Sequence, residues 1–232
     1  MIQEIHNYKE HPTFHVAVDS IIFGFDQGEL KLLIHKRQFE PARGEWSLFG
    51  GFVQKGESLD EAANRVLYEL TGLHDIYMEE IQAYGEVDRD PAGRVISVAY
   101  YALIPASEYT EAGNGNSGAI WVSLKDLPPL IMDHNLMVKR GLRRLRKRTS
   151  SQPIGFELLP REFTMPQLQA LYEAIYQAEL DKRNFRKKIL AMDLLIKLET
   201  KDKSSSRKGA FLYRFDQKKY KKLVEGAYNF TI

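Results

Sequence analysis

One stretch of the chain, residues 51–73, concentrates side chains that could hold a metal ion or move a proton. On a helix, positions 66, 69 and 70 share one face, because side chains three and four residues apart are neighbours. Glu69 then stands between Val66 and Leu70, which carry no ligand atoms. Mg²⁺ needs several hard oxygen ligands, so Glu57 and Glu69 could bind it only weakly. We therefore expect no catalytic residue and no metal centre here, with Glu57 and Glu69 as residual carboxylates or ordinary solvated charges.

The spacing of this stretch resembles the Nudix box. The matching positions are Gly51, Glu57, Arg65, Leu67, Glu69, Gly72 and Leu73. Active members of that family carry Glu at the positions held here by Val66 and Leu70, and Phe49 stands where Pro is usual. The resemblance implies a Nudix fold whose hydrolytic chemistry has been lost, so that the protein is not an enzyme.

Hydrophobic patterning around the box predicts an α/β domain. Strands are predicted over 14–25, 30–35, 95–104 and 120–124, with an amphipathic helix over 58–70 and a Gly/Asn loop over 111–118. The resemblance covers about the first 150 residues and implies a mixed sheet between helices. Residues 84–101 look like the branch near the ADP-ribose pyrophosphatases.

The net charge of +2 conceals two opposite halves. Residues 1–134 carry 10 Lys and Arg against 21 Asp and Glu, whereas residues 135–232 carry 23 against 10. The net charges are therefore −11 and +13, which indicates that the second half binds a polyanion. The alternative is a basic but merely solvated surface. A basic helix is predicted over 133–147, and the polar stretch that follows it marks the domain boundary, giving domains 1–150 and 151–232.

The second half begins with a helix start signal, Thr164 followed three residues later by Gln167, the pattern of a capping box. Leu168, Leu171, Tyr172, Ile175 and Tyr176 continue it as an apolar stripe at helical spacing. After a short break comes a second helix, with Phe185, Ile189, Met192 and Ile196 inward and a basic outer face. Two strands over 194–200 and 210–215 flank a basic loop. Together these elements predict a winged helix-turn-helix domain.

Candidate DNA-binding residues lie on the second helix and in the wing. They are Lys182, Arg183, Asn184, Arg186, Lys187, Lys203, Arg207 and Lys208. Arg183, Arg186 and Lys187 can donate to guanine and Asn184 can pair with adenine, whereas the wing cations and Gln167 suit phosphates. For Asn184, a structural hydrogen bond in the turn is the alternative.

Taken together, the halves resemble the Nudix-related transcriptional regulators, on the motifs at 168–175 and 181–186 and on Asp133-His134. The resemblance implies a homodimeric repressor that binds a double-stranded, palindromic DNA operator and senses a small sugar or nucleotide-sugar effector. Regulators of this family include sensors of ADP-ribose and, in a Bacteroidetes branch, of L-arabinose. The missing metal carboxylates favour the free sugar slightly.

Five residues are candidates for effector contacts: Arg37, Tyr84, Asp88, Arg89 and Tyr100. We expect only two or three of them to touch the ligand, the rest making loop contacts. Two other functions remain open at this point. One is a Mg²⁺-dependent hydrolase of ADP-ribose-like nucleoside diphosphate sugars, and the other is an RNA-binding Nudix relative.

Composition limits the remaining possibilities. The chain has no Cys, so it has no disulfide, thiol nucleophile or Cys-ligated zinc, and no cofactor is expected. No segment has the run of apolar residues that a membrane span needs, and the first residues do not resemble a signal peptide. A cytoplasmic protein without membrane contact is the expectation.

Overall fold

The computed structural model describes residues 11–74, 76, 78–106, 118–151, 154–203 and 208–225. Within these ranges the first half of the chain forms a seven-stranded mixed sheet. Its strands are β1 His15–Asp26, β2 Glu29–Lys36, β3 Trp46–Ser47, β4 Phe49–Phe52, β5 Met78–Tyr84, β6 Val95–Leu103 and β7 Ile120–Ser123. The order is β3-β2-β1-β6-β5, with β4 also on β1 and β7 on β2. Among the described strand pairs of this sheet, β1 and β6 are parallel and the others are antiparallel. Asp19 on β1 lies opposite Ala99 on β6.

Helix α1, Leu59–Thr71, covers one face of the sheet. It begins at a capping box in which Ser58 and Glu61 satisfy each other's backbone amides, and it ends at Gly72 in the left-handed conformation. Its apolar side packs on the strands through Ala62, Ala63, Val66 and Leu67. The predicted helix over 58–70 is thereby confirmed.

Helix α2, His134–Ser151, covers the opposite face. Gly141 lets it approach closely, since a Cβ there would lie 3.0 Å from the Cδ1 of Ile21. The helix runs beyond the predicted end at 147, and the Thr149 hydroxyl bonds back to the Leu145 carbonyl within it. The predicted division of the chain between residues 150 and 151 falls in its last turn and stays a prediction.

The second half is a winged helix. A 3₁₀ turn, Phe156–Leu158, precedes β8 Phe163–Thr164, α3 Met165–Tyr176, α4 Lys182–Ala191, β9 Leu195–Asp202, β10 Ala210–Phe215 and α5 Gln217–Glu225. The three strands form a separate sheet in the order β8-β10-β9. The capping box of Thr164 and Gln167 is formed as predicted. The predicted stripe is core: Leu168, Leu171, Tyr172 and Ile175 are fully buried, and Tyr176 is half-buried.

One core prediction was wrong. Ile196 was expected on the inner face of α4, but the helix ends at Ala191 and Ile196 lies on β9, 38% exposed. Asp193 adopts a left-handed backbone conformation with φ of 54°, which ends the helical path. Phe185 and Ile189 carry the buried face of α4 without it.

Two predictions fall on parts of the chain that the structure leaves undescribed. Arg207 and most of the loop predicted over 111–118 lie outside the described residues. Among the helices that are described, each is too short or too polar to cross a lipid bilayer.

Candidate functional site

A cavity of about 140 Å³ opens beside β1, at the place where β4 and the start of α2 meet it. The middle of β1 contributes Asp19, the loop after β5 contributes Arg89, and α2 contributes His134. Arg37, after β2, and Leu70, near the end of α1, also line the cavity. The cavity thus collects polar groups from four segments that are distant in sequence.

Asp19 is the central acid of this cavity and is only 6% exposed. The Ser97 hydroxyl donates to its Oδ2 at 2.5 Å, and the Arg89 guanidinium lies 3.7 Å from the same oxygen. Gly50 lies against its other oxygen, so closely that a Cβ at position 50 would overlap Oδ1. The carboxylate therefore occupies a space that only a glycine neighbour leaves open.

His134 meets Asp19 from the first turn of α2. Its Nδ1 accepts a hydrogen bond from the Leu48 backbone N–H at 3.1 Å, so Nδ1 carries no proton and a neutral ring must carry its proton on Nε2. That Nε2 lies 3.6 Å from Asp19 Oδ1. Burial lowers the pKa of His134, which the nearby acids Asp19 and Asp133 oppose. A neutral imidazole N–H thus points at a buried carboxylate.

Arg89 binds the start of α2 with two parallel hydrogen bonds to Asp133, at 3.0 and 2.7 Å. Its side chain is only 3% exposed. A guanidinium that is buried to this degree needs a paired carboxylate to compensate for the loss of water. Arg37 is less enclosed; its guanidinium stacks on Phe39 at 4.1 Å and donates to the Phe39 carbonyl. Among the described hydrogen bonds, Arg89 is therefore paired with a carboxylate, whereas Arg37 bonds only a backbone carbonyl.

The predicted effector residues divide into two groups. Arg37 and Arg89 line the cavity, whereas Tyr84, Asp88 and Tyr100 do not. Tyr84 is buried beneath Arg140, whose guanidinium lies 5.3 Å from its ring, and Asp88 is exposed. Tyr100 is buried on the α1 face of the sheet, where its hydroxyl donates to Asp60 at 2.7 Å. The effector role of all five stays a prediction.

Sequence reasoning missed Asp19 and His35 as cavity residues, and it noticed His134 only through family resemblance. A signal existed for Asp19, which is an acid inside an otherwise apolar strand. A carboxylate is costly to bury unless hydrogen-bond donors or cations pair with it, so a buried acid points to such partners. Nothing in the local pattern marks His35, which stacks on Phe49 at 4.7 Å and bonds the Leu48 carbonyl through Nε2.

The residual carboxylates of the box are both held by Arg65. Arg65 donates to Glu57 at 2.6 and 2.9 Å and to Glu69 at 3.1 Å. Hydrogen bonds from Arg65, and then from the Gln54 backbone N–H, lower the pKa of Glu57 to about 2. Val66 is 2% exposed and packed in the core, so it does not face a site.

A magnesium ion does not fit these residues. Both carboxylate oxygens of Glu57 and one of Glu69 already accept from the Arg65 guanidinium, and Val66 and Leu70 supply no ligand atom. Nowhere in the described residues do three His, Cys, Asp or Glu side chains gather as a metal would need.

The basic face predicted for the second half lies on α4. Its cations and Asn184 are all exposed, while Phe185 and Ile189 anchor the helix from beneath. Asp181 caps the helix by accepting from the backbone N–H of Asn184 at 2.8 Å. The Asn184 side chain is left outside that bond. Arg183, Asn184, Arg186 and Lys187 thus stand on one exposed helix, the arrangement that a groove-reading helix needs.

The wing adds cations that the sequence prediction did not include. Lys203 and Lys208 are exposed beside it as expected. In addition, the ammonium groups of Lys197 and Lys201 lie 3.9 and 4.4 Å from the ring centre of Phe211. Stacking on a ring restrains two long side chains on one face of the strand. The Gln167 amide oxygen accepts from the backbone N–H and the hydroxyl of Thr164. A phosphate would accept from the amide N–H₂ group instead, so the predicted phosphate contact of Gln167 stays a prediction.

Comparison with known proteins matches both halves. The NUDIX domain family model matches residues 13–141, and the model of the NrtR DNA-binding winged helix domain matches residues 155–215. A curated relative, the ADPR-responsive transcriptional repressor NtrR of Acinetobacter baylyi, is 31% identical over 91% of this chain and 86% of its own. An ADP-ribose pyrophosphatase of Methanocaldococcus jannaschii is 37% identical over 57% of this chain and 75% of its own.

Among solved structures, Shewanella oneidensis NrtR complexed with a 27mer DNA superimposes with a TM-score of 0.80. It is 28% identical, and the match covers 93% of this chain and 97% of that one. The match therefore includes both the sheet domain and the winged helix in one arrangement. The chain belongs to the NUDIX family and, within it, to the NrtR-type proteins that carry a C-terminal DNA-binding winged helix.

Proposed function

We propose that this protein is a ligand-responsive transcriptional repressor that binds double-stranded DNA through α4 and the wing. The observation that carries the proposal is the exposed row of cations on α4, a helix that Phe185 and Ile189 anchor to the core of the winged helix from the opposite side. The relative from A. baylyi is a repressor and the similar S. oneidensis structure contains DNA, which supports the same function here. A homodimer on a palindromic operator, in the cytoplasm where DNA lies, is part of the proposal.

The effector is proposed to bind in the cavity around Asp19. Buried carboxylate, imidazole and guanidinium groups suit a ligand rich in hydroxyls, since each can donate to or accept from a sugar oxygen. The cavity, about 140 Å³, is smaller than the roughly 300 Å³ or more typical of sites for larger ligands. Its size and its buried acid favour a free pentose such as L-arabinose.

ADP-ribose is the competing effector, and the name of the A. baylyi relative supports it. A diphosphate would need cations, and Arg89 is already bound to Asp133. ADP-ribose would therefore have to extend out of the cavity along the half-buried Arg37 and the exposed Phe39. Both candidates share a pentose, which is the class of ligand that we propose.

Fluorescence anisotropy tests the proposal. The full-length protein is titrated on duplexes taken from upstream of its own and neighbouring genes, with a random duplex as control. L-arabinose and ADP-ribose are then added separately, with and without Mg²⁺. Specific binding that one ligand releases supports the proposal and identifies the effector. Equal binding to every duplex, unchanged by either ligand, would contradict it, and competition with RNA tests the RNA-binding alternative.

A hydrolase is the second candidate, favoured by the identity to an ADP-ribose pyrophosphatase and by the retained Glu57, Arg65 and Glu69. The apolar Val66 and Leu70 and the engagement of both acids by Arg65 argue against it. We propose that the protein is not an enzyme. Mg²⁺-dependent cleavage of ADP-ribose at ordinary enzymatic rates, lost in Glu69→Gln, would overturn that part of the proposal.

A further inference from the structure

Helix α2 connects the cavity with the winged helix. Its first residue, His134, lines the cavity, and Asp133 just before it is bound by Arg89. Arg146 lies twelve residues further along the same helix, about 18 Å at the usual helical rise. A packed helix moves as a rigid unit, so a shift at one end is carried to the other.

Arg146 bonds directly to the end of α3. Its Nε donates to the Ile175 carbonyl at 2.7 Å and its Nη2 donates to the Gln177 side-chain oxygen at 2.5 Å. The last carbonyls of a helix lack partners within the helix and carry the negative end of its dipole. A guanidinium therefore satisfies both the hydrogen-bonding need and the charge at this position.

The bonds continue from there to the start of α4. Glu173 accepts from the backbone N–H of Leu180 at 3.0 Å and from the Gln169 amide at 2.8 Å. Gln169 also donates to the Leu180 carbonyl at 3.0 Å. Leu180 precedes Asp181, the N-cap of α4. Gln169 and Glu173 thus bind both the carbonyl and the N–H of Leu180 in the turn between α3 and α4. Arg146 connects the end of α3 to α2.

Neighbouring arginines of α2 make a different kind of contact. Arg144 and Arg148 both pair with Glu79 on β5 and so bind α2 to its own sheet. Arg146 instead reaches out of the sheet domain.

We propose that Arg146 is the positioning residue that couples the effector cavity to the DNA-reading helix. The inference rests on the proposed function and adds its route of regulation. An effector that binds Asp19, Arg89 and His134 better in one position of α2 shifts that helix, and Arg146 moves the end of α3 and the turn with it. The coupling free energy is the amount by which effector binding changes operator affinity. It depends on the contact through Arg146 and not on either binding site alone.

Arg146→Ala separates coupling from binding. Operator affinity is measured by anisotropy without ligand and with saturating L-arabinose or, separately, ADP-ribose. Affinity for each probe is measured by calorimetry on DNA-free protein. We expect the active probe to weaken operator binding by about tenfold or more in the wild type and by less than about twofold in Arg146→Ala. Probe affinity should stay within about twofold of the wild type.

Arg144→Ala is the matched control, because it removes an arginine of the same helix that binds Glu79 rather than α3; it should keep the wild-type response. If Arg146→Ala unfolds the winged helix, Arg146→Lys retains the charge but not the forked pair of donors, and it should also lose most of the response. A full response in the folded Arg146 variants would overturn the inference while leaving the proposed function intact. A wild type that no probe releases from DNA would instead contradict the proposed function itself.

Discussion

Arg89 and Asp133 form a bidentate ion pair that joins the loop after β5 to the start of α2, with donor–acceptor distances of 3.0 and 2.7 Å. The Arg89 side chain is 3% exposed and that of Asp133 18%. The same guanidinium lies 3.7 Å from Asp19, so its single positive charge lies between two acids, of which Asp19 lines the cavity. The pair thereby links the shape of the cavity to the position of α2.

Breaking this pair should be costly. Asp133→Ala leaves a buried guanidinium without its main partner, so we expect a loss of roughly 3 kcal/mol in the free energy of unfolding, measured by urea denaturation. Lys125→Ala is the control, since its pair with Glu29 is exposed and should contribute less than about 1 kcal/mol. Equal effects of the two changes would refute the importance of burial here.

Gly50→Ala tests the role of Asp19 in effector binding. The new methyl group would displace the Asp19 carboxylate, so we expect the affinity for the active sugar or nucleotide sugar to fall by about tenfold or more in calorimetry. Gly93→Ala serves as the control, because a Cβ there meets no atom within 4 Å. Unchanged affinity in a folded Gly50→Ala protein would remove Asp19 from the site.

His134 should make stability depend on pH. Its pKa is lowered from 6.5 in the folded protein, so the unfolded chain takes up the proton first as the pH falls. The contribution of neutral His134 to the free energy of unfolding is fully present above pH 6.5. It is lost progressively as the pH falls from there through the lowered pKa of the folded protein. His35 is shifted in the same direction and adds to the effect.

The comparison that isolates His134 is urea denaturation between pH 8 and about 5 for the wild type and His134→Asn. Asn supplies an oxygen that can replace Nδ1 as acceptor for the Leu48 N–H, but it does not titrate. The variant should lose less stability on acidification than the wild type does. Parallel curves would show that His134 does not titrate differently on folding.

Val66→Glu should fail to restore a metal site. Position 66 is 2% exposed, and an unpaired carboxylate there would lower the free energy of unfolding by about 3 kcal/mol or more. Tyr68→Glu on the same helix, at a position that is 56% exposed, should be nearly neutral. A stable Val66→Glu protein that gains Mg²⁺-dependent hydrolysis would contradict this.

Base reading and phosphate binding should separate in the winged helix. Arg183→Ala or Arg186→Ala should cost roughly 1 to 3 kcal/mol on the operator and relax base preference, whereas Lys208→Ala should weaken all sequences alike. Competition anisotropy on operator and random duplexes measures both effects. In Lys208→Ala the slope of log affinity against log salt concentration should become shallower by about 0.9, the contribution of one phosphate contact. Equal losses on both duplexes for the Arg variants would refute their role as readers.

Local patterns were sufficient to predict most of the winged helix. Thr164 and Gln167 lie three residues apart, and the stripe from Leu168 to Ile175 needs only helical periodicity to become a buried face. Ile196 was misplaced because the end of α4 depends on the backbone conformation of Asp193, which periodicity does not report. The amphipathic helix predicted over 58–70 also contains Val66, which the structure buries on the apolar side of α1.

The sequence by itself determined the order of the elements, the division of charge between the halves, the basic face of α4 and the absence of two carboxylates at positions 66 and 70. These features depend on residue type and on spacings of a few residues. Only the tertiary structure decided the cavity and its connection, because Asp19 and His134, and Arg146 and Ile175, meet across long stretches of chain. Such contacts depend on how β1, α2 and α3 pack, and no local pattern records that packing.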